Sequence, residues 1–321
     1  MCGIAGILYR DGGGAGPLGE QLLGMARILG SRGLESTGLA LYQELAPDRL
    51  VLRVHLEAPD AAAADERRRR LLDRLGRLVA VLEAEQVGAL VRIVVGGLAE
   101  PDPPAGAPPR SGRADLAFVR RLTDLVESAD GAEVFSIGTA MEVVKDVGPA
   151  DELARRHCVS TFVGSHGLAH TRLATESRVD ICHSHPFWAR PFPDIAVVHN
   201  GQLTNHHKLR RRFERRGFHF LTENDSEVIA VFVADRLAQG ASLDEALTDS
   251  IQELDGTFTY LVSTADGIGF AKDRFATKPL VVAECDQLVA MASEEIALEP
   301  VLTPACTVYE PEARAVRTWS R

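Results

Sequence analysis

The 321-residue sequence has no apolar run approaching the roughly 20 residues that cross a bilayer, so a membrane-spanning helix is not expected. It has no surplus of basic charge either. Lys and Arg number 35 against 45 Asp and Glu, a formal net charge of −10. Nucleic acids and anionic membranes attract positive fields, so neither is an expected partner. The five cysteines (Cys2, Cys158, Cys182, Cys285 and Cys306) are scattered and form no CxxC pair. That spacing disfavours a Cys-ligated zinc or iron–sulfur site in this chain, and the simplest expectation is a cytoplasmic chain with reduced thiols. The opening MCGIAGILY lacks the basic leader and cleavage pattern of a signal peptide. DGGGAG at 11–16 lacks the Lys-Ser/Thr of a P-loop and the spacing of a dinucleotide fingerprint, so it reads as a turn. Regular βαβ alternation is also missing, which excludes a Rossmann domain.

What is present describes a globular chain able to bury a core, with 45% hydrophobic and 25% charged residues. Residues 2–9 read as a buried strand and 18–29 as a helix. Strands follow at 39–42 and 50–54. Leu71, Leu75, Leu78 and Leu82 recur at three- and four-residue steps, so the periodicity predicts one long helix over about 60–86. Arg67 to Arg70 on it read as a solvated face, because no aromatic residues interleave. A strand within 87–98, a Pro/Gly-rich loop near 100–112, a helix near 114–128, a strand at 133–137 and a short helix at 150–157 come next. From His166 polar residues crowd into short strands and turns. Helices are then expected from Thr204 to Gly217, from Asp225 to Gly240, and from Ser242, where Ser242 and Glu245 make a capping-box pattern. The tail is β-rich, with Asp266-Gly267 as a hairpin turn. Strands at both ends with helices between imply an α+β fold with mainly antiparallel sheets.

The chemistry starts at Cys2. If methionine is trimmed, Cys2 carries a free α-amine beside its thiol. An α-amine titrates near ~8 and a thiol near ~8.5, so the amine can take the thiol proton with no histidine. The plainer alternative is a buried structural cysteine with the methionine retained. VVHNGQL offers Asn200 and Gly201, a side-chain amide and an unshielded backbone N–H suited to an oxyanion, or else an Asn-Gly turn at a strand end. HTRLATES offers Arg172, a bidentate clamp for a carboxylate or an ordinary surface ion pair. TENDSEV offers Asp225, a partner for an ammonium or a helix N-cap. A thiol that attacks an amide, with clamps for a carboxylate and an ammonium, describes a site for a free amino acid with a side-chain amide. Glutamine is the natural candidate.

These motifs together resemble the class II glutamine amidotransferases, the N-terminal-nucleophile family with cysteine at the mature start. MCGIAGI, RGLESTGLAL, HTRLAT, VHNG, NDSEV, GTFTYLV, KDRFATKPLVVAE and ASEEIAL occur in family order along nearly the whole chain. The resemblance implies a four-layer αββα sandwich, in a single domain over 1–321 with an elaborated insertion at about 45–160. It implies Cys2 as nucleophile, Asn200 and Gly201 as oxyanion hole, and Arg172 with Thr175 on the glutamine α-carboxylate. Asp225 would hold the α-ammonium, and Arg32 would order the nucleophile end.

The long stretch between RGLESTGLAL and HTRLAT, ending in FSIGTAMEVVKDVGPADEL, is similar to the glutaminase portion of glutamate synthase. It implies a stand-alone glutaminase subunit of glutamate synthase-like or N-methylglutamate synthase-like type, passing ammonia to a synthase partner. No cofactor is then expected in this chain; FMN or iron–sulfur centres would sit on the partner. Two alternatives stay open: another N-terminal-nucleophile hydrolase acting on an amide or γ-glutamyl bond without an acceptor, and a non-catalytic subunit of the same fold. His183 and His185 would share one face if they lay on a strand, but no nearby acidic residue completes a set and no metal is expected. The basic run Arg210 to Arg216 reads as a solvated helix face, or second as a docking surface for a partner.

Overall fold

The computed structural model describes residues 2–10, 16–96, 115–173 and 180–321. In chain order, strand β1 (Gly3–Tyr9) leads to helix α1 (Leu18–Leu29) and strands β2 (Ser36–Tyr42) and β3 (Leu50–Leu56). Helix α2 (Ala61–Leu75), strands β4 (Ala80–Val87) and β5 (Leu90–Gly96), helix α3 (Leu116–Glu127) and strands β6 (Ala132–Gly138) and β7 (Met141–Val147) follow. Then come α4 (Ala150–His157), β8 (His166–Arg172), β9 (Phe187–Trp188), β10 (Ala196–Leu203), α5 (His206–Glu214), α6 (Asp225–Ala238) and α7 (Leu243–Glu253). The tail is β11 (Gly256–Thr264), β12 (Gly267–Lys272), β13 (Val281–Glu284), β14 (Leu288–Ala292), β15 (Thr307–Tyr309) and β16 (Val316–Ser320). No helix among the described residues is long and apolar enough to cross a membrane.

The chain divides into two compact units. The first holds Met1–Gln43, Val143–Arg190 and Ile195–Arg321; the second holds Glu44–Glu142 and Pro191–Asp194.

The first unit is built on two sheets. One has seven strands in the order β15-β13-β14-β1-β8-β2-β7, the other five in the order β16-β12-β11-β10-β9. Strands β1 and β8 lie against β10 and β11, so the sheets stack face to face. Helix α1 covers the outer side of β1 and β8, and α6 and α7 cover the outer side of β10 and β12. The result is the αββα sandwich, with antiparallel pairing at β1–β14, β1–β8 and β10–β11. This layering explains the apolar run GIAGIL. A strand covered on both faces is apolar at every position rather than at alternate ones. A Cβ on Gly3 would strike Leu29 of α1, while one on Gly6 would press on Leu261 of β11. The two sheets are also pinned by a polar contact in the core, where Ser263 Oγ donates to Tyr42 Oη at 2.8 Å. Tyr42 stacks on His166, whose Nε2 lies 2.7 Å from the Thr264 carbonyl.

The second unit is a four-stranded antiparallel sheet, β4-β5-β3-β6, with α2 and α3 against it. Glu142 is buried here between Arg53 Nη2 at 2.6 Å and Arg92 Nε at 3.0 Å. Burial opposes its charge, but the two guanidiniums win and hold its carboxyl below the usual range. Asp194 closes the β6–β7 turn: its carboxylate accepts from the backbone N–H groups of Thr139, Ala140 and Met141 and from the Thr139 hydroxyl.

One expectation is corrected. The long helix of 60–86 ends at Leu75, and 80–87 form β4. Gly76, a poor helix former, takes the C-cap with its N–H on the Leu72 carbonyl. Beyond it the backbone pairs with β5, Ala80 opposite Gly96 and Val87 opposite Leu90. Leu71 and Leu75 are buried as the stripe implied, whereas Leu82 is 47% exposed. The capping box at Ser242 and Glu245 forms as its pattern implied.

Candidate active site

The site is assembled from strand ends of the two stacked sheets. On the first sheet, Gly3 of β1 is opposite Thr171 of β8. The next step of that antiparallel register sets Cys2 opposite Arg172. Cys2 is half-buried, and its Sγ lies 3.9 Å from the Leu173 carbonyl. Arg172, the last residue of β8, is buried. Gly33 is required beside it, because a Cβ there would sit 2.4 Å from the Arg172 carbonyl carbon. Arg32 reaches the same place. Its Nε donates to the Cys2 carbonyl at 3.0 Å, and its Nη1 pairs with Glu294 at 2.7 Å. The adjoining Ser293 braces the start of β1, accepting from the Ile4 N–H and donating to the Ile4 carbonyl.

The second sheet supplies Asn200 and Gly201 from β10. Asn200 is buried, and its Nδ2 finds no hydrogen-bond partner among the described residues. A buried amide donor left unsatisfied costs about 1–3 kcal/mol, so its orientation calls for an acceptor. Gly201 has φ +142°, and a Cβ would lie 2.0 Å from the Thr257 carbonyl oxygen, so only glycine fits.

Asp225 opens α6. The N-cap is Asn224, whose side chain accepts from Ser226 N–H, so the Asp225 carboxylate serves elsewhere. One of its oxygens accepts from the Leu203 N–H at 2.8 Å, and the other lies 3.5 Å from His199 Nδ1. Burial opposes its ionisation. The attraction and hydrogen bonding of His199, with the Leu203 N–H, outweigh burial and lower its pKa to about 2. Asp225 is therefore an anion throughout the physiological range.

Two groups thus form, Cys2 with Arg172 and Arg32, and Asn200 with Gly201 and Asp225. His170 joins them: it lies two residues before Arg172 on β8, and its Nε2 is 3.2 Å from the carbonyl of His199, the residue before Asn200. Thr175 lies outside the described residues.

The sequence reading missed a buried network beneath this site. Ser226 Oγ stands 2.8 Å from His185 Nε2, 2.9 Å from His199 Nδ1 and 3.3 Å from Asp225 Oδ1. His170 stacks on His185 with ring centroids 4.0 Å apart. A serine hydroxyl has one proton, so of these contacts it donates one, and at least one imidazole must donate to it. His183 takes a different course: its Nδ1 pairs with Asp180 at 2.7 Å on a turn, so His183 and His185 do not share a strand face. The signal for the network was adjacency alone, a histidine before Asn200 and a serine after Asp225.

Burial lowers His170 to about 3 and His166 to about 4. Unfolded, each takes up a proton near pH ~6.5; folded, each resists it until well below. Stability from keeping them neutral is whole above ~6.5 and is lost as pH falls toward the folded values. Each costs roughly 1.4 kcal/mol per pH unit in that window. Urea unfolding at pH 7.5 and 5.5 is expected to show a lower midpoint in acid, and His166→Gln, if folded, a shallower decline.

Similarity to known proteins shows the family to which the chain belongs. Residues 170–300 match the family model of a glutamine amidotransferase domain. A provisionally named glutamine amidotransferase of Methanothermobacter thermautotrophicus is 37% identical over 305 residues, 94% of this chain and 94% of the relative. The glutamine amidotransferase-like protein GlxB of Rhizobium meliloti is 35% identical, over 99% of this chain and 98% of its own length. The chain belongs to the class II glutamine amidotransferases. Glutamine phosphoribosylpyrophosphate amidotransferase from B. subtilis shares the fold, with a TM-score of 0.56 at 16% identity. That match spans 99% of the amidotransferase chain described here and 49% of the B. subtilis enzyme, about half its length.

Proposed function

We propose that this amidotransferase hydrolyses the side-chain amide of glutamine with Cys2 as the first residue of the mature chain. The α-amine of Cys2 takes the thiol proton, and the thiolate attacks the amide carbon. Negative charge gathers on the former carbonyl oxygen and is met by Asn200 Nδ2 and the Gly201 N–H. The C–N bond breaks as the α-ammonium returns a proton, ammonia leaves, and a γ-glutamyl thioester remains. Water then releases glutamate and frees the thiol. Arg172, with Thr175, holds the substrate α-carboxylate, and Asp225 holds the α-ammonium. Arg32 orders the Cys2 peptide through its carbonyl.

The observation that carries this reading is the Asn200 amide, buried, without a partner for its Nδ2 among the described residues, and on the strand that also anchors Asp225 through Leu203. The single domain carries residues of about 45–160 as an elaboration. Ammonia passes to a synthase subunit of glutamate synthase-like type, in a cytoplasmic complex without nucleic acid or membrane. The chain's own step needs thiol, amine, amide and carboxylate only; any FMN or iron–sulfur centre of the full reaction belongs to the partner.

The test is glutamate release from glutamine by the purified chain, compared with γ-glutamyl peptides and repeated with a candidate synthase subunit. Preference for free glutamine, and a rate that rises with the partner, is expected; equal rates on γ-glutamyl peptides would overturn it. Asp225→Asn removes one partner of a buried charge pair. A loss of about 3 kcal/mol, roughly 100-fold, is expected mainly in KM for glutamine. An unchanged KM would remove Asp225 from the ammonium site.

A further inference from the structure

Two thiols far from Cys2 in the chain, unused by the proposed chemistry, face each other at the edge of the seven-stranded sheet. Strand β13 pairs with the edge strand β15 with Val282 opposite Tyr309, Ala283 opposite Val308 and Glu284 opposite Thr307. The next step of the register sets Cys285 directly opposite Cys306. Directly opposite residues of an antiparallel pair project from the same face of the sheet. Neither cysteine donates its backbone N–H across the pair. Cys285 N–H goes to the Leu288 carbonyl and Cys306 N–H to the Thr303 carbonyl. The pair therefore belongs to the non-hydrogen-bonded kind, whose Cα atoms approach to about 4.5 Å. A disulfide accepts Cα separations of about 4.4–6.8 Å.

We propose that Cys285 and Cys306 form a reversible dithiol–disulfide pair that staples edge strand β15 to β13. Cys306 attacks first, because it is half-exposed whereas Cys285 is buried. Its chemistry suits that role. Burial works against the Cys306 thiolate, but hydrogen bonds from Cys285 and Thr303 outweigh it and lower its pKa. Burial and the same contact with Cys306 raise that of Cys285. The oxidant is a low-molecular-weight disulfide. The Cys306 thiolate attacks one of its sulfurs, the small disulfide's S–S bond breaks, and one small thiolate departs. Cys285 then loses its proton to solvent and attacks Cys306 Sγ, and the second small thiolate leaves. Two protein thiols are oxidised and one small disulfide is reduced to two thiols. In a cytoplasm such a bond is transient, formed when the thiol pool is oxidised and opened when it recovers.

The experiment treats the folded, pre-reduced full chain with glutathione disulfide, blocks free thiols, and maps peptides by mass spectrometry without reduction. A linked peptide joining Cys285 to Cys306 is expected, at least about tenfold more abundant than after the same treatment in concentrated urea, because folding raises the effective concentration of the second thiol. Reductant should return both cysteines to the alkylatable form. Cys285→Ser should leave a stable glutathione adduct on Cys306, and Cys306→Ser should leave Cys285 a free thiol. Two results would overturn the proposal: both thiols staying alkylatable in the folded chain, or an adduct on Cys306 of the unaltered chain that never closes. The readout is a mass, so it stands apart from the reading of Cys2.

Discussion

Replacing Cys2 with alanine is expected to lower glutamine hydrolysis by at least about 10⁴-fold, with the protein still folded. The size follows from what is lost. Without the thiol no thioester can form, and the pocket can only position glutamine beside water. The fold should tolerate the change, because Cys2 lies outside β1 and its Sγ makes only a long contact among the described residues, with the Leu173 carbonyl at 3.9 Å. Cys2→Ser retains an attacking atom but of far higher pKa than the α-amine can serve, so it should fall nearly as far. A second arm separates this from a merely structural cysteine. Leaving one extra residue ahead of Cys2 keeps the thiol but turns its amine into an amide, which cannot act as base. That variant should lose activity comparably, with intact mass confirming the extension. Full activity in it would exclude the amine from the mechanism.

The second large effect belongs to Asn200. Asn200→Ala is expected to reduce kcat by about 10²–10³-fold, the usual loss when one oxyanion donor is removed. KM should change little, because the donor meets charge that develops only as the carbonyl is attacked. Stability should hold or rise slightly. The Nδ2 group is buried without a partner among the described residues, so deleting it removes an unsatisfied donor. A rise in stability together with a fall in kcat would mark a group held ready for a transition state. A large KM effect with intact kcat would instead assign Asn200 to ground-state binding.

The four-layer sandwich was legible through the family resemblance, whereas the residues themselves showed a buried first strand and mainly antiparallel pairing. GIAGIL and the AVV that opens β10 are apolar or small at consecutive positions, as a strand covered on both faces requires. The region of 60–86 was not legible by period alone. Leu78 and Leu82 continue the stride of Leu71 and Leu75, yet Leu78 lies in the turn after α2 and Leu82 at a register shift within β4, the strand that pairs with β5. For the site, sequence order placed Cys2, Arg172, Asn200 and Asp225 through resemblance to a family, since no spacing in the chain brings residues so distant together. The network of His170, His185, His199 and Ser226 was hidden for a related reason. Its members come from β8, a turn, β10 and α6, and only the stacking of the layers sets His185 and His199 against one hydroxyl with His170 stacked on His185. A histidine on an apolar strand carries no mark of which neighbour it will meet.

The position of β1 has a consequence for biosynthesis. Its two flanking strands arrive late, β8 near the middle of the chain and β14 close to its end. On the ribosome, β1 therefore lacks its second neighbour until synthesis has passed from Gly3 to Ala292. For the mature Cys2 terminus proposed above, that interval is when the segment ahead of β1 would be within reach of an aminopeptidase.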